Sequence, residues 1–400
     1  MEKNMKRLFF FVLLNLTLAL TAFGQGYQPP TRLAIKSETL GEERVILVQT
    51  PASYANGKQR YPVLYMTDGA THLAHTAATI EFLARNGRIP EVIIVAITNT
   101  DRTRDLTPTK ATLPNPAGQP IPLPTAGGAD KFLKFIETEL IPSIESDYRV
   151  EPYRVFSGHS FGGLFALHAF LTRPEVFNAY ISVSSTMHWD NHLLSRKAEA
   201  FFKERKELNR TLYFTLANEG GEAKVGYERF KAILSKNTPK GFSWGAALME
   251  DEDHGSVVMP SHYAGLRKVF EGWQPTGNVA GLPQIEAHYK KLSAKFGYTV
   301  LPPEAMMNLF GYQLVGLGKQ EEALAVFKLN VKNYPQSANV YDSLAEFYEK
   351  TGKLDLAKPN YEKAVELGTQ TNDPNLPVYK INFERVSEAL KKSAEAKGNK

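Results

Sequence analysis

The chain has 400 residues, 43% of them hydrophobic and 22% charged, and it contains no cysteine. This composition indicates a folded globular protein of more than one domain, and it excludes disorder throughout, disulfide bonds and a lipid-modified cysteine. The net charge of +5 resides in the first seven and the last ten residues, so the neutral body between them predicts no nucleic-acid-binding surface.

The first 24 residues have the pattern of a secretory signal peptide. Lys3, Lys6 and Arg7 precede an apolar run over residues 8–20, which is shorter than the roughly 20 residues that a membrane span needs. Small residues follow, and we predict cleavage after Gly24. The mature protein is then secreted, periplasmic or extracellular in a bacterium, and keeps no stable membrane anchor. An uncleaved N-terminal anchor is the alternative.

Residues 44–249 alternate short β-rich runs with amphipathic helical segments, and we assign residues 25–273 to one domain. Several runs are apolar at consecutive positions, which is typical of strands covered on both faces. The predicted strands are 45–48, 63–66, 92–97, 155–156, 180–183, 212–216 and 244–249. The alternation predicts an α/β fold, a mostly parallel sheet with helices on both faces.

The end of the chain is predicted to form an all-α domain that contains a repeat. The sequence GKQEEA at residues 318–323 recurs as GKLDLA at residues 352–357, a period of 34 residues that is typical of tetratricopeptide repeats. Such repeats suggest a protein partner, and two unrelated helical hairpins are the alternative. The predicted boundaries are 274–283 for a linker, 284–390 for the helical domain, about 304–337 and 338–371 for the two repeats, and 391–400 for a basic disordered tail.

The clearest catalytic signal is Gly158-His159-Ser160-Phe161-Gly162, which has the pattern G-x-S-x-G. A predicted strand precedes it and a predicted helix follows it, as in the nucleophile elbow of an α/β-hydrolase. Ser160 is then the nucleophile, and the backbone N–H of Phe161 faces the developing oxyanion. A second oxyanion donor is expected after the strand at 63–66, from Gly69 or Ala70. A turn serine without a catalytic role is the alternative.

A catalytic serine needs a base and an acid. His254 follows the predicted strand 244–249 in a polar loop and is the predicted base. His262 is the second candidate, although its place in a predicted helix favours a structural role. Glu219 follows the strand 212–216 and gives the chain order serine, acid, histidine that this fold requires, and Glu222 is its rival.

Two histidine clusters raise the alternative of a metal site, because histidines close together on a helix can share one face. The clusters are His72 and His75 with Asp68, and His188 and His192 with Asp190. Neither has a further group of ligands at metal-binding spacing, so neither a metal nor another cofactor is predicted.

Residues 33–273 resemble the putative-esterase branch of the α/β-hydrolases, which includes esterase D-like enzymes, enterochelin and salmochelin esterases, and feruloyl esterases. Three segments carry the resemblance: YMTDG at 65–69, RTRDLTP at 102–108 and HGSVV at 254–258. Residues 184–191 lie where the siderophore esterases usually have Ser-Pro-Ser and two tryptophans, but here the proline and the first tryptophan are missing.

The resemblance implies a serine carboxylic ester hydrolase that works through an acyl-enzyme with Ser160, His254 and Glu219. Its substrate is a siderophore ester, or, in the alternative, a feruloyl or acetyl ester linked to a polysaccharide. A hypothesis of a different class is a binding protein that keeps a relic of the hydrolase fold.

The resemblance also implies a substrate rim around Arg102, Arg104 and Trp189. The residues themselves allow two interpretations. The arginines could bind an anionic or catecholate group while the tryptophan stacks on an aromatic acyl group. Alternatively, the arginines pair with Asp101 and Asp105, and the tryptophan packs beneath the elbow.

Overall fold

The computed structural model describes residues 29–55, 57–114, 119–275 and 281–398. The chain divides into two compact units, Met1–Gln274 and Pro275–Lys400. The predicted signal peptide at 1–24 lies outside the described residues, and so do residues 276–280 of the predicted linker. Within the described part of the chain, no helix is both long and apolar enough to cross a bilayer.

The first unit is built on an eight-stranded sheet. Its strands are β1 (Thr31–Ser37), β2 (Glu42–Gln49), β3 (Tyr61–Met66), β4 (Ile93–Ile97), β7 (Val150–His159), β8 (Ala179–Val183), β9 (Thr211–Ala217) and β10 (Ser243–Met249). They lie in the order β1-β2-β4-β3-β7-β8-β9-β10. Strands β4, β3 and β7 to β10 run parallel, whereas β1 and β2 pair antiparallel at one edge. The mostly parallel α/β sheet is therefore confirmed. Strands β5 (Leu113–Pro114) and β6 (Pro120–Ile121) form a separate ribbon.

Helices cover this sheet, and its central strands β3 and β4 are buried along their whole length. The helix that follows β7 is buried at residues 162–171 and is largely apolar, as expected of a helix enclosed on every side. The helices are α1 (Gly69–Arg85), α2 (Arg102–Leu106), α3 (Ala129–Phe135), α4 (Ile141–Asp147), α5 (Phe161–Thr172), α6 (Trp189–Glu204), α7 (Gly221–Lys236) and α8 (Val258–Val269). The carboxyl ends of the parallel strands meet at one edge, where open α/β sheets bind their ligands.

The second unit is helical throughout its described residues. Its helices are α9 (Leu282–Phe296), α10 (Glu304–Gly316), α11 (Gln320–Asn333), α12 (Ala338–Lys350), α13 (Leu354–Thr371) and α14 (Leu376–Gly398). Gly318 and Gly352, 34 residues apart, both have φ +74 and end the first helix of a hairpin. A Cβ on Gly311 would lie 2.7 Å from the Phe327 ring, so glycine lets α10 and α11 approach closely. These paired hairpins are compatible with tetratricopeptide-like repeats.

One prediction for this unit differs from the structure. Residues 391–398 were expected to be disordered because of their charge, but they continue α14 as far as Gly398. Most residues of this stretch are lysine, alanine or glutamate, which favour helix, and the preceding turns of α14 supply the nucleus on which they extend it.

Candidate active site

Ser160 occupies the turn between β7 and α5 in a strained backbone conformation, with φ 60 and ψ −115. Its N–H donates to the carbonyl of Val183 at the end of β8, at 2.9 Å. A Cβ on Gly158 would lie 2.2 Å from the Gly162 carbonyl oxygen, and a Cβ on Gly162 would lie 2.3 Å from Thr67 Oγ1. A side chain at either glycine of the motif would therefore clash with its neighbours, as expected of a nucleophile elbow.

His254 and Glu219 meet at the same edge of the sheet. His254 Nδ1 lies 3.0 Å from Glu219 Oε1, and the carboxylate can only accept, so Nδ1 carries the proton and leaves Nε2 free to accept one. Burial raises the pKa of Glu219, but hydrogen bonds from His254 and Ser184 outweigh it and the pKa is lowered. The carboxylate is therefore ionised beside the imidazole. Among the described residues, Ser160 Oγ makes no hydrogen bond to His254.

The two rival residues lie elsewhere. Glu222 Oε2 pairs with His192 Nε2 at 3.0 Å, away from His254. His262 is 2% exposed and lies between Thr76 Oγ1 at 2.9 Å and Ser157 Oγ at 2.8 Å. Burial lowers the pKa of His262 to about 3, so this ring stays neutral and joins α1, α8 and β7.

The predicted oxyanion donors belong to two helix N-termini that lie side by side. Phe161 is the first residue of α5, and Gly69 and Ala70 are the first two of α1. Amides of a first helical turn have no partner within the helix, and the helix dipole favours negative charge there. A residue in the left-handed conformation, Asp68 with φ 55, turns the chain from β3 into α1.

The sequence and the fold of this chain are similar to those of known esterases. Residues 37–218 match the family described as Putative esterase. The chain is 30% identical over 239 residues to ferri-bacillibactin esterase BesA of Bacillus subtilis, covering 56% of this chain and 76% of that protein. The chain belongs to the Putative esterase family. It is therefore a carboxylic ester hydrolase with the α/β-hydrolase fold, as the resemblance implied.

Two further relatives are similar to this esterase. It is 34% identical over 278 residues to a siderophore triacetylfusarinine C esterase of Aspergillus fumigatus, covering 58% of this chain and 90% of the relative. The crystal structure of an IroE-like serine hydrolase from Shewanella oneidensis superposes with a TM-score of 0.67 and 30% identity, covering 75% of this chain and 98% of that one.

Two arginines expected at the substrate rim of the esterase bind carboxylates of the protein. Arg102 holds Asp68 through Nε to Oδ1 at 2.6 Å and Nη2 to Oδ2 at 3.1 Å, and Nη2 also donates to the carbonyl of His159 at 3.1 Å. Its partner is thus Asp68, not Asp101 as the pairing interpretation expected. Arg104 binds Glu42 and Asp105. Arg102 therefore ties the start of α1 to the elbow, while remaining 33% exposed.

Trp189 of the esterase has no exposed surface. Its ring contacts Phe161 edge to face, with centroids 5.5 Å apart, and its Nε1 donates to Thr109 Oγ1 at 3.0 Å. Neither face of the ring is open to a substrate in this structure. Trp189 therefore packs beneath the elbow, as the second interpretation expected. The expectation that it stacks on an aromatic acyl group does not hold in this structure.

The histidine clusters of the esterase do not form metal-binding sets. Within the described ranges, three or more His, Cys, Asp or Glu side chains nowhere come together in a way that could hold a metal ion. His72 lies in edge contact with His75 and with His159, at 5.2 and 5.5 Å between ring centroids. In the second cluster, Asp190 accepts from Thr109 Oγ1 at 2.7 Å.

Sequence reasoning missed two residues that contact the candidate triad. Ser184 donates to Glu219, and His159 Nε2 lies 2.7 Å from the backbone carbonyl oxygen of His254. Burial and the neighbouring histidines lower the pKa of His159 to about 4, so its ring is a neutral donor. Two signals pointed to Ser184: its position after a predicted strand, and its place at the start of the segment 184–191 that lies where the siderophore esterases have Ser-Pro-Ser.

Proposed function

We propose that this esterase hydrolyses siderophore esters through an acyl-enzyme formed on Ser160. His254 takes the serine proton through Nε2 and returns it to the leaving alcohol, while Glu219 holds the imidazole by Nδ1. The N–H groups of Phe161 and of Gly69 or Ala70 stabilise the oxyanion. Water then attacks the acyl-enzyme with His254 as the base.

The observation that carries the mechanism is the 3.0 Å contact between His254 Nδ1 and Glu219 Oε1 beside the strained elbow. Side chains that are far apart in the sequence meet there at the carboxyl edge of the sheet. Because the imidazole already donates through Nδ1, its other nitrogen is in the state that a general base needs.

The siderophore substrate is supported by the relatives rather than by the residues around Ser160. The relatives named as esterases of ferri-bacillibactin, triacetylfusarinine C and enterobactin are 29% to 34% identical to this chain. The pattern of residues 1–24 supports action outside the cytoplasm, and the helical hairpins support a protein partner for the second unit. A feruloyl or acetyl ester is the alternative substrate.

A fluorophosphonate probe tests the mechanism, because it labels only an activated serine. We expect labelling of the wild-type protein and none of Ser160→Ala. Equal labelling of the two, or no labelling of either, would contradict the mechanism and favour a binding protein without activity.

The substrate is tested by comparing kcat/KM for three esters: a tricatecholate lactone, triacetylfusarinine C and methyl ferulate. We expect one of the two siderophores to exceed methyl ferulate at least tenfold, since each factor of ten corresponds to about 1.4 kcal/mol of differential transition-state binding. A higher value for methyl ferulate would reject the siderophore proposal while leaving the triad intact.

A further inference from the structure

Ser184 is a buried residue in a backbone conformation that serine rarely adopts. It directly follows β8, is 1% exposed and has φ 40. Glycine would take such a positive φ at little cost, whereas other residues are strained there. A strained residue of this kind beside an active site points to a use for its side chain.

The hydrogen bonds of Ser184 fix the direction in which its hydroxyl proton points. Ser184 Oγ accepts the N–H of Ala217, the last residue of β9, at 3.0 Å. The hydroxyl proton is then donated to Glu219 Oε1. This is the same carboxylate oxygen that accepts Nδ1–H of His254. Glu219 Oε1 is therefore held by the hydroxyl of Ser184 as well as by the imidazole of His254.

The backbone around Ser184 links the acid to the nucleophile turn. The N–H of Ser184 donates to the carbonyl of Thr215 in β9, at 3.0 Å. The carbonyl of Val183 accepts the N–H of Ser160, at 2.9 Å. Val183 thus binds Ser160 through its carbonyl, and the next residue, Ser184, binds Glu219 through its hydroxyl.

We propose that Ser184 is a positioning residue of the esterase, which fixes the Glu219 carboxylate in the orientation that holds His254 for proton transfer. Without the hydroxyl, the carboxylate keeps only the bond from His254 among the described residues, and it can rotate about its terminal torsion. The imidazole then spends less time aimed at Ser160, which lowers kcat rather than substrate affinity. The inference rests on the proposed mechanism.

The test compares Ser184→Ala, Ser184→Gly and Ser184→Cys on p-nitrophenyl butyrate. We expect the alanine and glycine variants to lose about 10- to 100-fold in kcat, with KM within about twofold, because a hydrogen bond to a charged group is lost. Glycine relieves the strained φ and alanine does not, so equal losses would assign the effect to the hydroxyl. The cysteine variant keeps a weak donor and is expected to lie between them and the wild type.

Ser185→Ala is the matched control. Its hydroxyl is also buried but, among the described residues, has no hydrogen-bond partner, so kcat is expected to stay within about twofold of wild type. A double-mutant cycle with Glu219→Gln separates positioning from structure. If Ser184 acts through Glu219, Ser184→Ala changes kcat little in the Glu219→Gln background.

The outcomes separate this inference from the mechanism on which it rests. Wild-type activity that does not depend on Ser160, or that is absent, defeats the mechanism and this inference with it. Wild-type activity that depends on Ser160, together with an unchanged kcat in Ser184→Ala and Ser184→Gly, defeats the role of Ser184 alone. Losses in Ser184→Ala and Glu219→Gln that multiply in the double variant also overturn it, because they show independent effects.

Discussion

Glu219 and Glu222 are three residues apart, yet they contact different histidines. Glu219 lies just after β9 in the loop that leads to α7, where it reaches His254. Glu222 lies in the first turn of α7 and its carboxylate points to His192 at the surface. Proximity in the sequence therefore says little about which histidine a carboxylate contacts.

This difference gives the first prediction. Glu219→Gln is expected to lower kcat by about 10²- to 10⁴-fold, because an amide in place of the acid can hold the imidazole in the wrong tautomer. Glu222→Gln removes a carboxylate of the same kind and is expected to stay within about twofold of wild type, since only an exposed pair is lost. Steady-state kinetics measure both, and a larger loss in Glu222→Gln would reverse the assignment.

Arg102 is the second residue whose role is testable. It binds Asp68 before α1 and the carbonyl of His159 before Ser160, so it braces both halves of the predicted oxyanion site. Arg102→Lys keeps the positive charge but loses the bidentate interaction with the Asp68 carboxylate. We expect about a tenfold fall in kcat with little change in KM, because a charge-assisted hydrogen bond is worth about 1.5 kcal/mol or more. A raised KM at constant kcat would instead show that Arg102 binds substrate.

At the scale of elements, the glycines of the elbow decide how closely β7, α5 and the end of β3 pack. A Cβ at Gly162 would lie 2.3 Å from Thr67 Oγ1, 3.3 Å from Asp68 Oδ2 and 3.5 Å from Thr67 Cβ. The severe contact is thus with a single hydroxyl. That hydroxyl is buried and, in the described part of the chain, unpartnered.

The third prediction uses this contact. Gly162→Ala is expected to destabilise the first unit by about 1–3 kcal/mol, the usual cost of overpacking. Thr67→Ala removes the opposing hydroxyl, so the double variant Thr67→Ala/Gly162→Ala should recover most of the loss. Gly220→Ala is the control, because a Cβ there meets nothing within 4 Å. Urea denaturation measures all four variants, and additive losses in the double variant would contradict the contact.

The sequence was sufficient to predict the strands and the turn whose residue pattern is contained in a short stretch of the chain. Runs such as 92–97 are apolar at every position, and the elbow glycines flank their serine at fixed spacing. Strand β1 (Thr31–Ser37) was missed because it lies at the sheet edge with half-exposed residues. The hydrogen bond of Ser184 to Glu219 and the pairing of Arg102 with Asp68 were not predictable, because they depend on which strands become neighbours.

At the scale of the whole first unit, the buried His262 and its neighbour His159 make the free energy of unfolding depend on pH. The folded state keeps His262 neutral down to a pKa of about 3, because burial disfavours the imidazolium, whereas the unfolded ring takes up a proton near its ordinary value of 6.5. Between these values the unfolded state binds more protons. Acid therefore favours unfolding within that window, and this histidine contributes no pH dependence above it.

The fourth prediction follows from this linkage. The free energy of unfolding of the first unit should fall with decreasing pH from about 6.5 toward 3, by up to about 1.4 kcal/mol per pH unit for His262 alone. His159, whose pKa is lowered to about 4, adds to the slope. His262→Gln should be less stable at pH 7.5 but should have a flatter profile below pH 6. Equal slopes for both proteins in urea titrations would refute the assignment.

The four strands β7 to β10 lie side by side in the order in which they are synthesised. Each strand end delivers the next part of the site: Ser160 after β7, Ser184 after β8, Glu219 after β9 and His254 after β10. The proposed base therefore comes last along the chain. A chain without β10 and the loop after it would keep the proposed nucleophile and acid but not the proposed base. The proposed triad thus requires the complete sheet, up to its last strand.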